Sequence, residues 1–173
     1  MKGKILKESF FKKDAFFVAE NLLGKYLVRK NGKEVISLKI NEVEIYDGFK
    51  DKASHASKGK TKRNEPMFES GGIFYVYLVY GMYFMLNVVC GENGYPSAIL
   101  IRGAGEYDGP GKLTNFLKID KTLNGKKIKK ASNLWIEDRG EKILKKNINK
   151  LPRVGVDYSG RHWSKKPYRY VLK

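Results

Sequence analysis

FYVYLVYGMYFMLN, residues 74–87, is the stretch on which the fold turns. Six of its first eleven residues are aromatic, and four of those are tyrosines, at Tyr75, Tyr77, Tyr80 and Tyr83. Aromatic and β-branched residues suit a pleated, half-buried surface, so Phe74 to Tyr80 and Tyr83 to Val89 read as two strands. Tyr80-Gly81-Met82 lies between them, and Gly81 supplies the turn of a β-hairpin. Period two puts Tyr75, Tyr77 and Val79 on one face of the first strand and Phe74, Val76, Leu78 and Tyr80 on the other. One face is expected to pack a core while the other presents Tyr77. Tyr80 falls at the tip, where packing is poorest.

Working outward, SAILIRG (97–103) reads as a buried strand, and GPGKLTNFLKI (109–119) as a helix with Pro in its first turn. Residues 126–150 carry nine Lys or Arg against three acids; SNLWIEDRG within them reads as strand and turn, the rest as helix or loop. RVGVDYSGRHWSKKPYRYVLK closes the chain with mixed strand and turn signals. Upstream, DAFFVAENLL (14–23) reads as a short helix with Asp14 as N-cap and Gly24 as its stop. KYLVRK and EVISLKINEVEIY read as strands. Residues 47–66 hold six Lys or Arg among turn formers and form a long loop, of the kind that is functional or disordered. The sum is one α+β domain over residues 1–173, centred on an antiparallel sheet.

The composition narrows the partners. A chain of 173 residues, 42% hydrophobic and 13% aromatic, has a core and is no disordered tail. Its 35 Lys and Arg outnumber 18 Asp and Glu, for a net charge of +17. Such a surface attracts polyanions: nucleic acid first, an anionic membrane second. A Lys-rich thermophile surface is the bland alternative, but it carries Glu as well. Cys90 is the one cysteine and His55 and His162 the two histidines, a set too small for a disulfide or a structural zinc site, so no metal is expected. MKGKILKESFF has no apolar core of a signal peptide, and no run of about eighteen apolar residues crosses a membrane. A cytoplasmic protein is expected.

Some residues can carry chemistry. In the strand INEVEIYDG (40–48), Glu42, Glu44 and Tyr46 share one face. A carboxylate there can act as a general base on water or stabilise an oxocarbenium-like sugar; the competing reading is an exposed edge with surface acids. Arg102 ends the apolar AILI run and should pair with Glu44 or Glu42. His55, in the basic loop, reads by itself as a solvated histidine. Gly111 and Lys112 at a helix start suit a phosphate. Tyr80 at a hairpin tip can wedge between base pairs, at an unstacking cost of roughly a few kcal/mol. The same rings also suit a non-catalytic binder of nucleic acid, or stacking on splayed RNA bases.

Taken in order, LLGKYLVRK (22–30), NEVEIYDG, ASHASKGKTKRNEPMF (53–68), GGIFYVYLVYGMYFMLNVV (71–89), AILIRG, GPGKL, RVGV and WSKKPYRYV resemble the alkyladenine DNA glycosylase family, the mammalian-type 3-methyladenine DNA glycosylases. YVYxxYGMYFxxN is the most specific piece. The resemblance implies a compact domain around a curved, open-barrel-like antiparallel sheet with peripheral helices and a protruding hairpin that enters the DNA minor groove. It implies a monofunctional, cofactor-free enzyme, a monomer, that flips a damaged purine from double-stranded DNA and leaves an abasic site. Alkylated adenine or guanine, hypoxanthine and ethenoadenine are the substrates it brings to mind. Glu44 matches the acid that activates water, and Arg102 the arginine that organises it. Tyr46, His55 and Tyr77 match side chains that stack on and contact the flipped base. Asn87 matches an asparagine that crowds a guanine amino group, and Val154 a residue whose carbonyl holds the water. Tyr80 matches the residue inserted into the vacated gap, while Met82 and Tyr83 line the groove. Tyr75 is expected to pack inward although it shares the parity of Tyr77. The chain departs from the family in a more Lys-rich loop around His55. Residues 120–150 resemble the family least, and their basic run reads as a solvated helix sooner than a DNA-facing surface.

Overall fold

Asp14 starts the longest helix by the expected means. Its carboxylate accepts the Phe16 and Phe17 amides at 3.1 and 3.0 Å, donors that a helix start otherwise leaves unpaired. The computed structural model describes residues 3–173; Met1 and Lys2, which open the segment read above as no signal peptide, lie outside them. In chain order, β1 (Lys4–Ile5) and the one-turn α1 (Glu8–Phe11) lead to α2 (Ala15–Leu22), and Gly24, at φ 80°, turns the chain left-handed just past it. β2 (Tyr26–Asn31) and β3 (Glu34–Asp47) follow as a hairpin. After the 47–66 loop come β4 (Phe74–Val79), β5 (Tyr83–Val89), β6 (Ser97–Ala104), β7 (Tyr107–Asp108) and α3 (Pro110–Phe116). β8 (Leu134–Asp138), β9 (Ile148–Leu151), α4 (Arg161–Ser164) and β10 (Arg169–Leu172) complete the chain.

All pairings are antiparallel, in the order β1-β8-β2-β3-β6-β5-β4. The sheet stays open, and the single α+β domain read from the sequence is what forms. β3 is the hub: its first half pairs with β2, and its second half lies between β6 and β10. One face of this central region is the main core, where Val43, Ile45, Ile99, Ile101, Leu86, Val88 and Phe74 are all fully buried. Each such side chain stabilises the fold by about 1.5–3 kcal/mol. α2 covers that face of β3 and β6, and α3 packs on β5 and β6.

The outer edge of β4 is closed by the basic segment read as a solvated helix. No α-helix lies there among the described residues. The Phe74 amide donates to the Lys126 carbonyl at 2.9 Å, the Gly125 amide to Phe74 at 2.8 Å, and the Val76 amide to Asn124 Oδ1 at 2.9 Å. An edge strand's free amides invite unwanted pairing, and a covering loop removes that hazard. Lys126, Lys127, Lys129 and Lys130 stand exposed on this cover, whose pairing with β4 is made by backbone groups and the Asn124 side chain. The 47–66 loop is ordered too. Asp51, Ala53, Ser54, Ala56 and Asn64 are buried in it. Asn64 knots it: its amide nitrogen donates to the His55 and Gly59 carbonyls, both at 2.9 Å, and its oxygen accepts the Thr61 amide at 2.7 Å.

Candidate active site

The second face of the same strands is not core but floor. Cross-strand register aligns Glu44 with Leu100, Leu100 with Asn87, and Asn87 with Tyr75. One step along, Tyr46 sits opposite Ala98 and Tyr77 opposite Met85. Because period two sends alternate residues to opposite faces, these eight side chains point the same way. They line a cavity of about 290 Å³, near the lower end of small-ligand sites. Its walls are His55 from the ordered loop, Val154 and Tyr158 from the segment after β9, and Tyr80 from the hairpin tip.

Glu44 is 0% exposed, so the surface-acid reading fails. Its Oε1 accepts the Val154 amide at 2.8 Å and its Oε2 the Tyr46 hydroxyl at 2.9 Å. The Arg102 guanidinium lies 3.5 Å from Glu44 Oε1 and donates to Glu42 Oε1 at 3.0 Å, so both carboxylates that the sequence offered are its partners. A change of register between β3 and β6 around residue 102 turns that side chain toward the two acids, as bulges commonly do near active sites. Arg169 of β10 also binds Glu42, at 3.0 Å. Burial pushes the Glu44 carboxyl above its ordinary value; the Arg102 charge, the Val154 amide, the Tyr46 hydroxyl and Arg153 oppose that without cancelling it. A carboxylate so raised is a stronger base than a solvated one.

The aromatic wall is tied together by edges. Tyr75 and Tyr77 lie 5.0 Å apart, and His55 packs 4.6 Å from Tyr77 in a T-shape. His55 Nδ1 and the Tyr75 hydroxyl are 3.0 Å apart. Tyr75 is buried as expected, yet on the face of Tyr77 and not in the main core; it joins a second cluster with Ala56, Met67 and Phe68 beneath the loop. Strand parity was the better guide. Burial raises the Tyr75 hydroxyl to about 12. The His55 ring is exposed but packs edge-on against Tyr75 and Tyr77; its partial burial, and then Arg63, lower its pKa. Arg63 lies over the Tyr77 ring at 5.3 Å and donates to the Leu78 carbonyl at 3.0 Å. Asn87 is buried, with its amide nitrogen on the Tyr75 carbonyl at 3.1 Å.

Tyr80 is 90% exposed. The Met82 amide closes the turn on the Val79 carbonyl at 3.1 Å, with Tyr80 at φ 52° and Gly81 at φ 67°. A left-handed tyrosine costs roughly 1–2 kcal/mol, a strain typical of functional positions. Met82 and Tyr83 are exposed beside it, outside the cavity. Gly111 and Lys112 are outside as well. A Cβ on Gly111 would meet Tyr83 Cδ1 at 2.8 Å, so glycine lets that ring lie against α3. Lys112 pairs with Asp108 at 2.8 Å on the open surface.

The least expected feature lies behind the cavity. Arg153 and Asp51 form a fully buried two-bond pair at 2.6 and 2.9 Å, and Arg153 also donates to the Ile45 carbonyl at 2.7 Å. The guanidinium is sandwiched between Tyr46 at 4.8 Å and Tyr168 at 5.2 Å. Burial alone would lower its pKa, but hydrogen bonding to Asp51 and its charge outweigh that and raise it. This pair anchors the segment that brings Val154 to Glu44. The sequence reading missed Arg153, Asp51, Arg169 and Tyr158; the one local signal was the position of Arg153 next to Val154 in RVGV.

The cavity thus sets a buried carboxylate among tyrosines, on a strongly basic domain with an exposed aromatic tip. The sequence profile of methylpurine-DNA glycosylase (MPG) matches residues 9–108 and 105–173 of this chain. A provisionally named 3-methyladenine DNA glycosylase of Methanocella arvoryzae is 41% identical over 190 residues, spanning 98% of this chain and 92% of the relative. Relatives with the same provisional name in Psychrobacter cryohalolentis (38% identity; 91% of this chain, 87% of the relative) and Legionella pneumophila (39%; 97% and 94%) are similar. The chain belongs to the methylpurine-DNA glycosylase family, and with it to the DNA glycosylases that act on alkylated bases in repair.

Proposed function

We propose that this protein flips an alkylated purine out of duplex DNA into the Glu44 cavity and hydrolyses its N-glycosidic bond, leaving an abasic site. The observation that carries this reading is the fully buried Glu44, held by Tyr46, Val154 and Arg102 on the floor of an aromatic pocket. Flipping is required because a stacked base is out of reach, and a damaged base costs least to extrude. Tyr80 fills the gap left in the duplex, with Met82 and Tyr83 beside it in the groove. Lys112, exposed and exchangeable from Asp108, meets a nearby phosphate together with the Gly111 amide.

In the cavity the base lies among Tyr46, His55 and Tyr77. A cationic methylated purine gains from the electron-rich ring faces and is also the better leaving group. The names of the relatives make 3-methyladenine the first substrate to try. Asn87, pinned by backbone carbonyls, stands where a guanine amino group would crowd it. As the C1′–N bond breaks, its electrons leave with the base, and a cationic purine departs neutral. Glu44 stabilises the positive sugar, then takes a proton from the water that bonds to C1′. Arg102 and the Val154 carbonyl hold that water. No lysine lines the cavity among the described residues, which supports water as the nucleophile and a monofunctional enzyme. The reaction needs one chain, and we read the protein as a cytoplasmic monomer.

The test is base release by wild type and Glu44→Gln from methylated DNA, read by chromatography, and from a duplex with one central hypoxanthine, read as alkali-labile sites. Release by wild type alone is expected, with lesion binding retained by the variant. Full release by Glu44→Gln removes Glu44 as the base. Tight duplex binding with no release from either substrate points instead to a non-catalytic binder.

A further inference from the structure

His55 and Tyr158 have a second side. Beyond them lies another cleft, of about 910 Å³, lined also by Phe49, Lys50, Lys52 and Lys58. Phe49 is 50% exposed and Tyr158 71%. Both rings are braced: Phe49 packs against Phe68 at 6.0 Å and edge-on to Tyr95 at 6.1 Å, and the Tyr158 hydroxyl donates to the Ala53 carbonyl at 2.9 Å. No acid lines this cleft among the described residues. The acids of residues 47–58, Asp47 and Asp51, are turned away from it. Asp51 is fully buried against Arg153, and Asp47 accepts the Ser97 hydroxyl at 3.1 Å. Lys50, Lys52 and Lys58 have no ion-pair partner among the described residues.

We propose that this cleft is a subsite for single-stranded DNA, continuous with the Glu44 cavity, that holds the nucleotide next to the flipped one on the lesion strand in an unstacked state. The inference rests on the base-flipping reading above. Its chemistry is that of single-strand grooves, in which cations follow the phosphates and flat rings take the bases irrespective of sequence. Three unpaired lysines beside two rings suit phosphate and base together, and the released base is neutral and carries no phosphate, so a strand is the occupant. The shared His55–Tyr158 wall gives the strand a path from one cavity to the other, and the cleft is roomier than the first. It also gives the Lys-rich loop a role that its distance from the chemistry would not suggest.

The experiment uses the full chain. A lesion duplex carries 2-aminopurine on one or the other side of the damaged base, and an undamaged single-stranded 12-mer is titrated in parallel. For wild type, one of the two flanking positions should brighten on binding, which reports unstacking. Phe49→Leu keeps apolar volume but removes the flat ring; it should lose that signal and bind the 12-mer about tenfold more weakly. The triple variant Lys50→Gln, Lys52→Gln, Lys58→Gln changes only exposed side chains. It should lower the salt slope for the 12-mer by about 2, near 0.7 per phosphate contact. Wild-type brightening at neither flank, or unchanged 12-mer affinity and salt slope in both variants, overturns the subsite. Base release from the lesion duplex by wild type, measured in the same samples, reports separately on the glycosylase reading.

Discussion

Asp51→Asn tests whether the buried pair behind the cavity holds the site together. In the native protein both side chains are wholly excluded from water and joined by bonds of 2.6 and 2.9 Å. The variant keeps the shape of the acid and removes its charge. Arg153 is then left among two carbonyls and two tyrosine rings with its counter-ion gone. Breaking a buried pair by removing one partner costs about 3–5 kcal/mol, because the remaining charge stays desolvated. Against a total stability of roughly 5–15 kcal/mol for a native domain, that is a large share. With a urea slope of about 2 kcal/mol/M, the unfolding midpoint should fall by about 1.5–2.5 M. Tryptophan fluorescence in urea at pH 7 measures it. Base release assayed well below that midpoint should also fall, because Arg153 holds the segment whose next residue, Val154, donates to Glu44. The double variant Asp51→Leu, Arg153→Met should regain stability, since an apolar pair avoids the desolvation cost, without regaining activity. A midpoint shift below about 0.5 M for Asp51→Asn would refute the argument that the pair supports the segment carrying Val154.

Two further outcomes follow from the site. The folded-state pKa of Glu44 lies above its unfolded value because of burial, so the folded state binds the extra proton and wild type loses stability as pH rises through that window. Glu44→Gln should therefore raise the urea midpoint at neutral pH, and the advantage should vanish near pH 4; equal midpoints at both pH values would count against a strained carboxylate. Tyr80→Gly relieves the left-handed tyrosine and should raise stability by up to about 1 kcal/mol while weakening binding to a lesion duplex. A loss of stability, or unaltered affinity, would deny the tip its strained, inserting role.

The strands, the Asp14 cap, the Gly24 stop and the hairpin turn were legible in the sequence because each depends on a few neighbouring residues. The period of two did more than mark strands. It placed Glu44 with Tyr46 and Tyr75 with Tyr77 on common faces, and those faces meet across four strands to make the cavity floor. The basic run after α3 reads as helix or loop, with a solvated helix favoured, because its lysines dominate the composition, whereas it forms no α-helix among the described residues and its backbone and Asn124 seal β4. What the tertiary structure alone decided are pairings across long stretches of chain. Val154 donates to Glu44 from 110 residues away, and Arg153 finds Asp51 across 102. Local periodicity says which face a side chain takes, but not which distant segment is folded against it. That choice belongs to the packing of the whole domain, which also turned Arg102 onto two acids and buried Glu44 where its charge is costly and its basicity high.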